Sequence, residues 1–100
     1  MKIKRIKKIQ LCGQTFNIVW DKDYDGAYFN FMTEKLLIGT RIQSRIWSNI
    51  VHEVTEIVMA GMNVRFHRHD ADGDWYFVYD HRQHTTACEM IADALEQFIQ

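Results

Sequence analysis

The sequence predicts one α+β domain spanning residues 1–100, in which a small antiparallel or mixed sheet packs against two helices. A chain of this length can bury one hydrophobic core but not two. Short alternating apolar runs before residue 40 predict strands, and apolar residues spaced three or four apart over 42–60 predict a helix. A similar apolar stripe near the C-terminus predicts the second helix, and no internal repeat interrupts the pattern.

The composition is that of a globular protein without an export signal. Hydrophobic residues make up 47% of the chain and proline is absent, which argues against a disordered linker. No apolar run reaches the roughly 18–20 residues that span a bilayer. We therefore expect a cytoplasmic protein without membrane contact, in which Cys12 and Cys88 are reduced thiols.

The expected strands form three hairpins. Residues 5–20 alternate around a turn at Cys12-Gly13-Gln14. Strands at 27–31 and 35–38 flank a second turn. The segment 63–80 forms the third hairpin and follows the helix at 42–60, for which Gly61 provides the C-terminal stop. Its expected turn is Asp72-Gly73.

The chemical signal of the sequence is the stretch His52-Glu53-Val54-Thr55-Glu56. It matches the HExxH helix of zinc metallopeptidases except that Glu56 replaces the second histidine. At about 100° per residue, His52 and Glu56 lie one turn apart opposite the apolar arc, with Glu53 on a flank. An ordinary amphipathic helix also places polar residues opposite its apolar arc. A solvated polar face therefore explains the positions of these residues without a metal.

Three details favour a metal site on this helix. Met59 projects near His52, which suits a cleft wall better than a solvated face. Side chains at i and i+4 can meet one ion, and zinc accepts carboxylate oxygen as well as imidazole nitrogen. Glu53 stands where the glutamate of HExxH removes a proton from water. His52 and Glu56 are therefore candidate zinc ligands, and Glu53 is the candidate general base.

A zinc site needs a further ligand, and the final helix is its best source. Asp80 with Gln83 and Thr86 with Glu89 both fit a capping box, so the sequence does not decide at which of them this helix starts. If it starts near Asp80, His84 lies on the apolar face that is turned to the protein, and we expect it to approach His52. His81 is the second choice. The alternative for His84 is a helix cap or a partly buried neutral histidine.

Three other patterns are interpreted as structural. His67 and His69 share one face of a strand and could hold a metal themselves, but we expect them to be exposed. Residues 21–26 match the first half of a calcium loop, yet Met32 stands where a bidentate glutamate is required, so we expect a turn. The basic segment 2–8 could contact phosphate, but a solubilising edge strand or frayed tail is the simpler interpretation.

The stretch IWSNIVHEVTEIVMAGMN, followed by YDHRQHTTACEMIADALEQF, resembles the small phage and prophage proteins of the minimal zincin-like metallopeptidase type. In such proteins the active helix carries HExxE, and a later histidine opens the final helix. The resemblance covers about the last half of the chain, whereas the N-terminal strands agree only in order and length. It implies a zincin-like fold, with His52, Glu56 and His84 as zinc ligands and Glu53 as the catalytic base.

The expected function is zinc-dependent hydrolysis of a peptide or protein substrate, in the bacterial host cytoplasm if the protein is phage-encoded. The alternative is a non-catalytic binding protein that keeps this fold, with or without a structural metal, and contacts a host or virion protein. A nucleic-acid-binding module that uses the N-terminal lysines is a third hypothesis. It is disfavoured because residues 51–100 carry nine Asp and Glu against three Lys and Arg.

Overall fold

A computed structural model gives the fold of the protein for residues 2–67 and 74–100. Four strands form one mixed sheet: β1 (Lys8–Leu11), β2 (Gln14–Asp21), β3 (Ala27–Asn30) and β4 (Lys35–Gly39). The outer pairs, β1 with β2 and β3 with β4, are antiparallel, whereas the central strands β2 and β4 run parallel. The predicted mixed sheet is confirmed, and the zincin-like assignment stays a prediction.

Two helices pack against this sheet, with a short hairpin between them in sequence. Helix α1 (Ile46–Gly61) contacts β3 and β4, and helix α2 (His81–Glu96) contacts β1 and α1. Strand β5 (Arg65–His67) pairs with β6 (Trp75–Phe77) in antiparallel register, as predicted for this segment. The expected turn at Asp72-Gly73 lies outside the described residues. No helix in the described part of the chain is both long and apolar enough to cross a membrane.

The core lies between the helices and one face of the sheet. Alternate residues of the central strands, Phe16 and Ile18 on β2 and Leu36 and Ile38 on β4, are buried in it. Because side chains alternate along a strand, these four residues lie on the same face of the sheet. The apolar residues of α1, spaced three or four apart, form a stripe on the helix that packs against this face. That stripe consists of Ile46, Ile50, Val54, Ile57 and Val58.

Helix α1 begins later than the apolar spacing predicts. Ile42 is extended, with φ −105° and ψ 103°, and residues 43–45 form a 3-10 turn before Ile46. The expected stop at Gly61 is displaced as well, since Gly61 is the last helical residue and Asn63 takes the left-handed conformation at φ 59°. Gly61 instead makes room for a neighbour, because a Cβ there would lie 2.8 Å from Cys12 Sγ.

Helix α2 begins at the first of its two predicted capping boxes. Asp80 Oδ1 accepts a hydrogen bond from the Gln83 backbone at 2.8 Å, and Gln83 Oε1 accepts one from the Asp80 backbone at 2.9 Å. These reciprocal bonds satisfy two backbone donors that would otherwise lack a helical partner. Thr86 lies inside the helix, so its box is not used.

Candidate metal centre

Three side chains of α1 converge on one point. His52, Glu53 and Glu56 each offer a ligand atom, and these atoms all lie within 4.8 Å of one another. His52 Nε2 is 3.5 Å from Glu56 Oε1, as expected for two side chains that lie one helical turn apart. Two ligands of a tetrahedral zinc ion with bonds of 2.0–2.2 Å lie about 3.4 Å apart. The pair therefore already has the spacing that one ion requires.

Glu53 is the buried member of this group. Its side chain was expected on a flank of the helix, yet the residue is only 5% exposed. Burial and, to a lesser extent, the neighbouring charge of Glu56 raise the pKa of Glu53 from 4.5 to about 7, although the charge of Arg65 acts in the opposite direction. A carboxyl group with a pKa near neutrality can both accept and return a proton at physiological pH.

Arg65 is the residue that sequence reasoning missed. It extends from β5 and places Nη1 3.5 Å from Glu56 Oε2. Its guanidinium lies 3.8 Å above the ring of Trp75 and 5.2 Å from that of Phe29, so two aromatic side chains hold it in place. The sequence carries no periodic pattern that relates Arg65 to α1, because the contact depends on how the hairpin crosses the helix.

A cleft opens beside His52 and Glu53. It has a volume of about 350 Å³ and is lined by α1 and the residues that lead into β3: Gly26, Ala27, Ser48, Asn49, His52 and Glu53. Asn49 Nδ2 donates to the carbonyl oxygens of Asp25 at 2.9 Å and Gly39 at 3.2 Å. These bonds tie the first turn of α1 to the loop before β3, which fixes the width of the cleft. Met59, by contrast, is buried in the core rather than in a cleft wall.

The expectation that His84 faces inward is wrong. His84 is exposed, its ring is stacked on Tyr79 at 5.8 Å, and its Nε2 lies 3.6 Å from Cys88 Sγ. The buried line of α2 runs through Ala87 and Ala94, and His84 lies about 60° away from it in the first turn. Its donor atoms are not part of the His52 group, so its role as a third zinc ligand stays a prediction.

Among the residues that the structure describes, no other histidine or aspartate joins the His52 group. His81 is exposed beside His84. The side chain of His67 and the whole of His69 lie outside the described residues. In the loop at 21–26 the Asp23 backbone donates to Asp21 Oδ1 at 2.9 Å, which agrees with the expected turn, and Asp25 is engaged by Arg41.

Comparison of the chain with protein-family models, with curated proteins and with solved structures found no match. The resemblance of the two helices to zincin-like proteins therefore remains a hypothesis. The functional proposal rests on the geometry of His52, Glu53 and Glu56.

Proposed function

We propose that this protein is a zinc-dependent hydrolase of peptide bonds with its catalytic centre on α1. The observation that carries the proposal is Glu53, a buried carboxyl with a pKa of about 7 that lies within 4.8 Å of two potential metal ligands. Carboxyl groups with strongly shifted pKa values concentrate at catalytic sites. Burial of a charge costs free energy, so such a group is kept mainly where its altered pKa is used.

The donor pair on α1 fits two of the four positions around a tetrahedral zinc ion. His52 supplies an imidazole nitrogen and Glu56 a carboxylate oxygen, both of which zinc binds in proteins. His52 is largely exposed, with 68% of its side chain accessible, so an ion can reach the pair from solvent. A bound zinc ion would polarise a substrate carbonyl and acidify water. The other oxygen of Glu56, Oε2, lies 3.5 Å from Nη1 of Arg65, whose positive charge pairs with the carboxylate.

Glu53 performs the proton transfers in this proposal. As a base it accepts a proton from the water that attacks the peptide carbonyl, and as an acid it returns this proton to the departing amine. Its pKa of about 7 belongs to the metal-free protein, and a bound zinc ion would lower this value and so favour the base form at neutral pH. Strand β3 lies at the edge of the sheet and starts at Ala27 in the cleft, so its free edge could pair with an extended peptide.

The test separates metal binding from catalysis. Elemental analysis of zinc-loaded protein should find about one zinc per chain more in the wild type than in His52→Ala or in Glu56→Ala. Glu53→Gln should keep its zinc and cut the hydrolysis of a peptide mixture, followed by mass spectrometry, by about 10²-fold or more. Glu89→Gln, an exposed change on α2, is the matched control and should behave as the wild type. Full activity in Glu53→Gln would refute the mechanism.

A non-catalytic binding protein is the second candidate, and one surface favours it. The hairpin and the residues after it expose large apolar side chains: Phe66, Trp75, Tyr76, Phe77, Val78 and Tyr79. A concentration of exposed large apolar side chains in one segment is common at protein interfaces. Protein that takes up no zinc at the His52 group and unfolds at the same temperature with and without chelator would favour this candidate over the hydrolase.

A further inference from the structure

Helix α2 carries a second pair of metal-binding side chains on its exposed side. His84 and Cys88 lie one turn apart, both are exposed, and His84 Nε2 is 3.6 Å from Cys88 Sγ. The pair contains a sulfur donor, whereas the His52 group contains only nitrogen and oxygen donors. The two sets therefore differ in the chemistry that they offer to a metal ion.

The distance between His84 and Cys88 matches one edge of a zinc tetrahedron. Zinc binds imidazole nitrogen at about 2.0–2.1 Å and thiolate sulfur at about 2.3 Å. At a tetrahedral angle these bond lengths place the two ligand atoms about 3.6 Å apart. In the structure, Nε2 of His84 and Sγ of Cys88 are likewise 3.6 Å apart. This separation is compatible with both donors binding one ion in place of the contact between thiol and imidazole.

The surroundings hold the imidazole in this orientation. The ring of Tyr79 stacks on that of His84 with an interplanar angle of 10° and 5.8 Å between centroids. The capping box of Asp80 and Gln83 fixes the helical turn that carries the histidine. His81 supplies another imidazole nearby, with its centroid 6.4 Å from that of His84. Ordering of this kind lowers the entropic cost of binding an ion.

We propose that His84 and Cys88 form a second metal site, which takes a thiophilic divalent ion of the zinc class. Thiolate and imidazole select such ions, whereas magnesium and calcium prefer oxygen ligands. Binding converts the Cys88 thiol to a thiolate and releases its proton to solvent, and water fills the coordination positions that the protein leaves open. Neither ligand belongs to the group of His52, Glu53 and Glu56, and the proposal assigns His84 to this second site in place of its predicted role as a third ligand beside His52.

Cobalt(II) tests the site, because only a thiolate ligand produces a sulfur-to-cobalt charge-transfer band in the near ultraviolet. Fully reduced full-length protein, freed of reductant, receives one equivalent of cobalt chloride. The band should appear in the wild type and in Cys12→Ser, where the altered thiol is half-buried against the Ile57 carbonyl instead. It should be lost in Cys88→Ser and reduced at least severalfold in His84→Ala. Excess zinc should abolish it, and excess magnesium should leave it unchanged.

Several outcomes would overturn the proposal. No band in the wild type, a full band in Cys88→Ser, or displacement by magnesium would each do so. His52→Ala should keep the band, because its side chain is not part of this site. Loss of hydrolysis in that variant with an intact band supports both proposals, and loss of the band would overturn the second site. Far-UV circular dichroism should show that all variants are folded, because the exposed positions 84 and 88 contribute little to the core.

Discussion

Arg65 and Glu56 meet between β5 and α1, with Nη1 of the arginine 3.5 Å from Oε2 of the glutamate. Only 16% of the arginine side chain and 23% of the glutamate side chain are exposed, so solvent screens this pair less than it would a surface pair. The guanidinium places a fixed positive charge beside the carboxylates that we propose as a metal centre. A metal ion and Arg65 therefore compete for the same negative charge.

Replacing Arg65 by methionine should strengthen zinc binding at the His52 group. An ion pair of this type is worth up to about 1 kcal/mol, which corresponds to about fivefold in a dissociation constant. We expect a gain of this size in a competition titration against a zinc-binding dye, using a Cys88→Ser background to remove the second proposed site. The titration is made at about pH 8.5, where Glu53 is ionised in most molecules. Arg65→Lys keeps the charge and should bind zinc nearly as the parent does. Weaker binding by the folded methionine variant would contradict the competition.

Glu53 should make the protein less stable as the pH rises through the range from about 4.5 to 7. The pKa of Glu53 is about 7 in the folded protein, against an ordinary value of 4.5 that we take for the unfolded chain. The folded state therefore holds the proton more tightly than the unfolded chain. Deprotonation therefore removes stability, and the full loss is on the order of 3 kcal/mol above the folded pKa.

Urea unfolding of metal-free protein at about pH 5 and about pH 8 measures this effect. Glu53→Gln should lose most of the pH dependence and should be more stable than the wild type at the higher pH. Glu89→Gln should retain the wild-type dependence, because this residue is exposed. An identical pH dependence in the wild type and in Glu53→Gln would show that Glu53 is not perturbed in the folded protein.

Gly39→Ala should be strongly destabilising at the end of β4. A Cβ at this position would lie 2.5 Å from the Gly26 carbonyl oxygen and would also overlap the Tyr24 carbonyl oxygen. Because both neighbours are backbone, we expect a loss of about 2–4 kcal/mol in the free energy of unfolding. Gly26→Ala is the matched control, since its Cβ would meet only the Tyr24 ring at 3.6 Å or more. Equal stability of the two variants in thermal unfolding would count against this packing.

Asp80→Ala should cost about 1 kcal/mol of stability, because it removes the acceptor of the N-terminal capping bond of α2. Asp80→Asn keeps a side-chain oxygen at the same place and should restore most of the loss. Chemical denaturation of both variants measures the difference. If the alanine and asparagine variants are equally destabilised, the charge of Asp80 rather than its hydrogen bond supports the helix.

The sequence alone determined the features that depend on near neighbours. Alternating residues located the strands, the Cys12-Gly13 turn marked the first hairpin, and the Asp80 capping box marked the start of α2. The one-turn separation of His52 and Glu56 followed from helical geometry in the same way, because a helix brings residues four apart together wherever it forms. The start of α1 was placed too early, since apolar spacing does not distinguish a 3-10 turn from an α-helix over so few residues.

The tertiary structure alone decided which of these groups acquire unusual chemistry. Glu53 is buried because other parts of the chain cover its flank of α1, and Arg65 reaches Glu56 because the β5–β6 hairpin returns beside the same helix. His84 turned toward Tyr79 and Cys88 rather than toward His52. A helical wheel describes one element in isolation, whereas burial and charge depend on what packs against that element. The pKa of Glu53 and the partners of His84 are therefore properties of the packed domain.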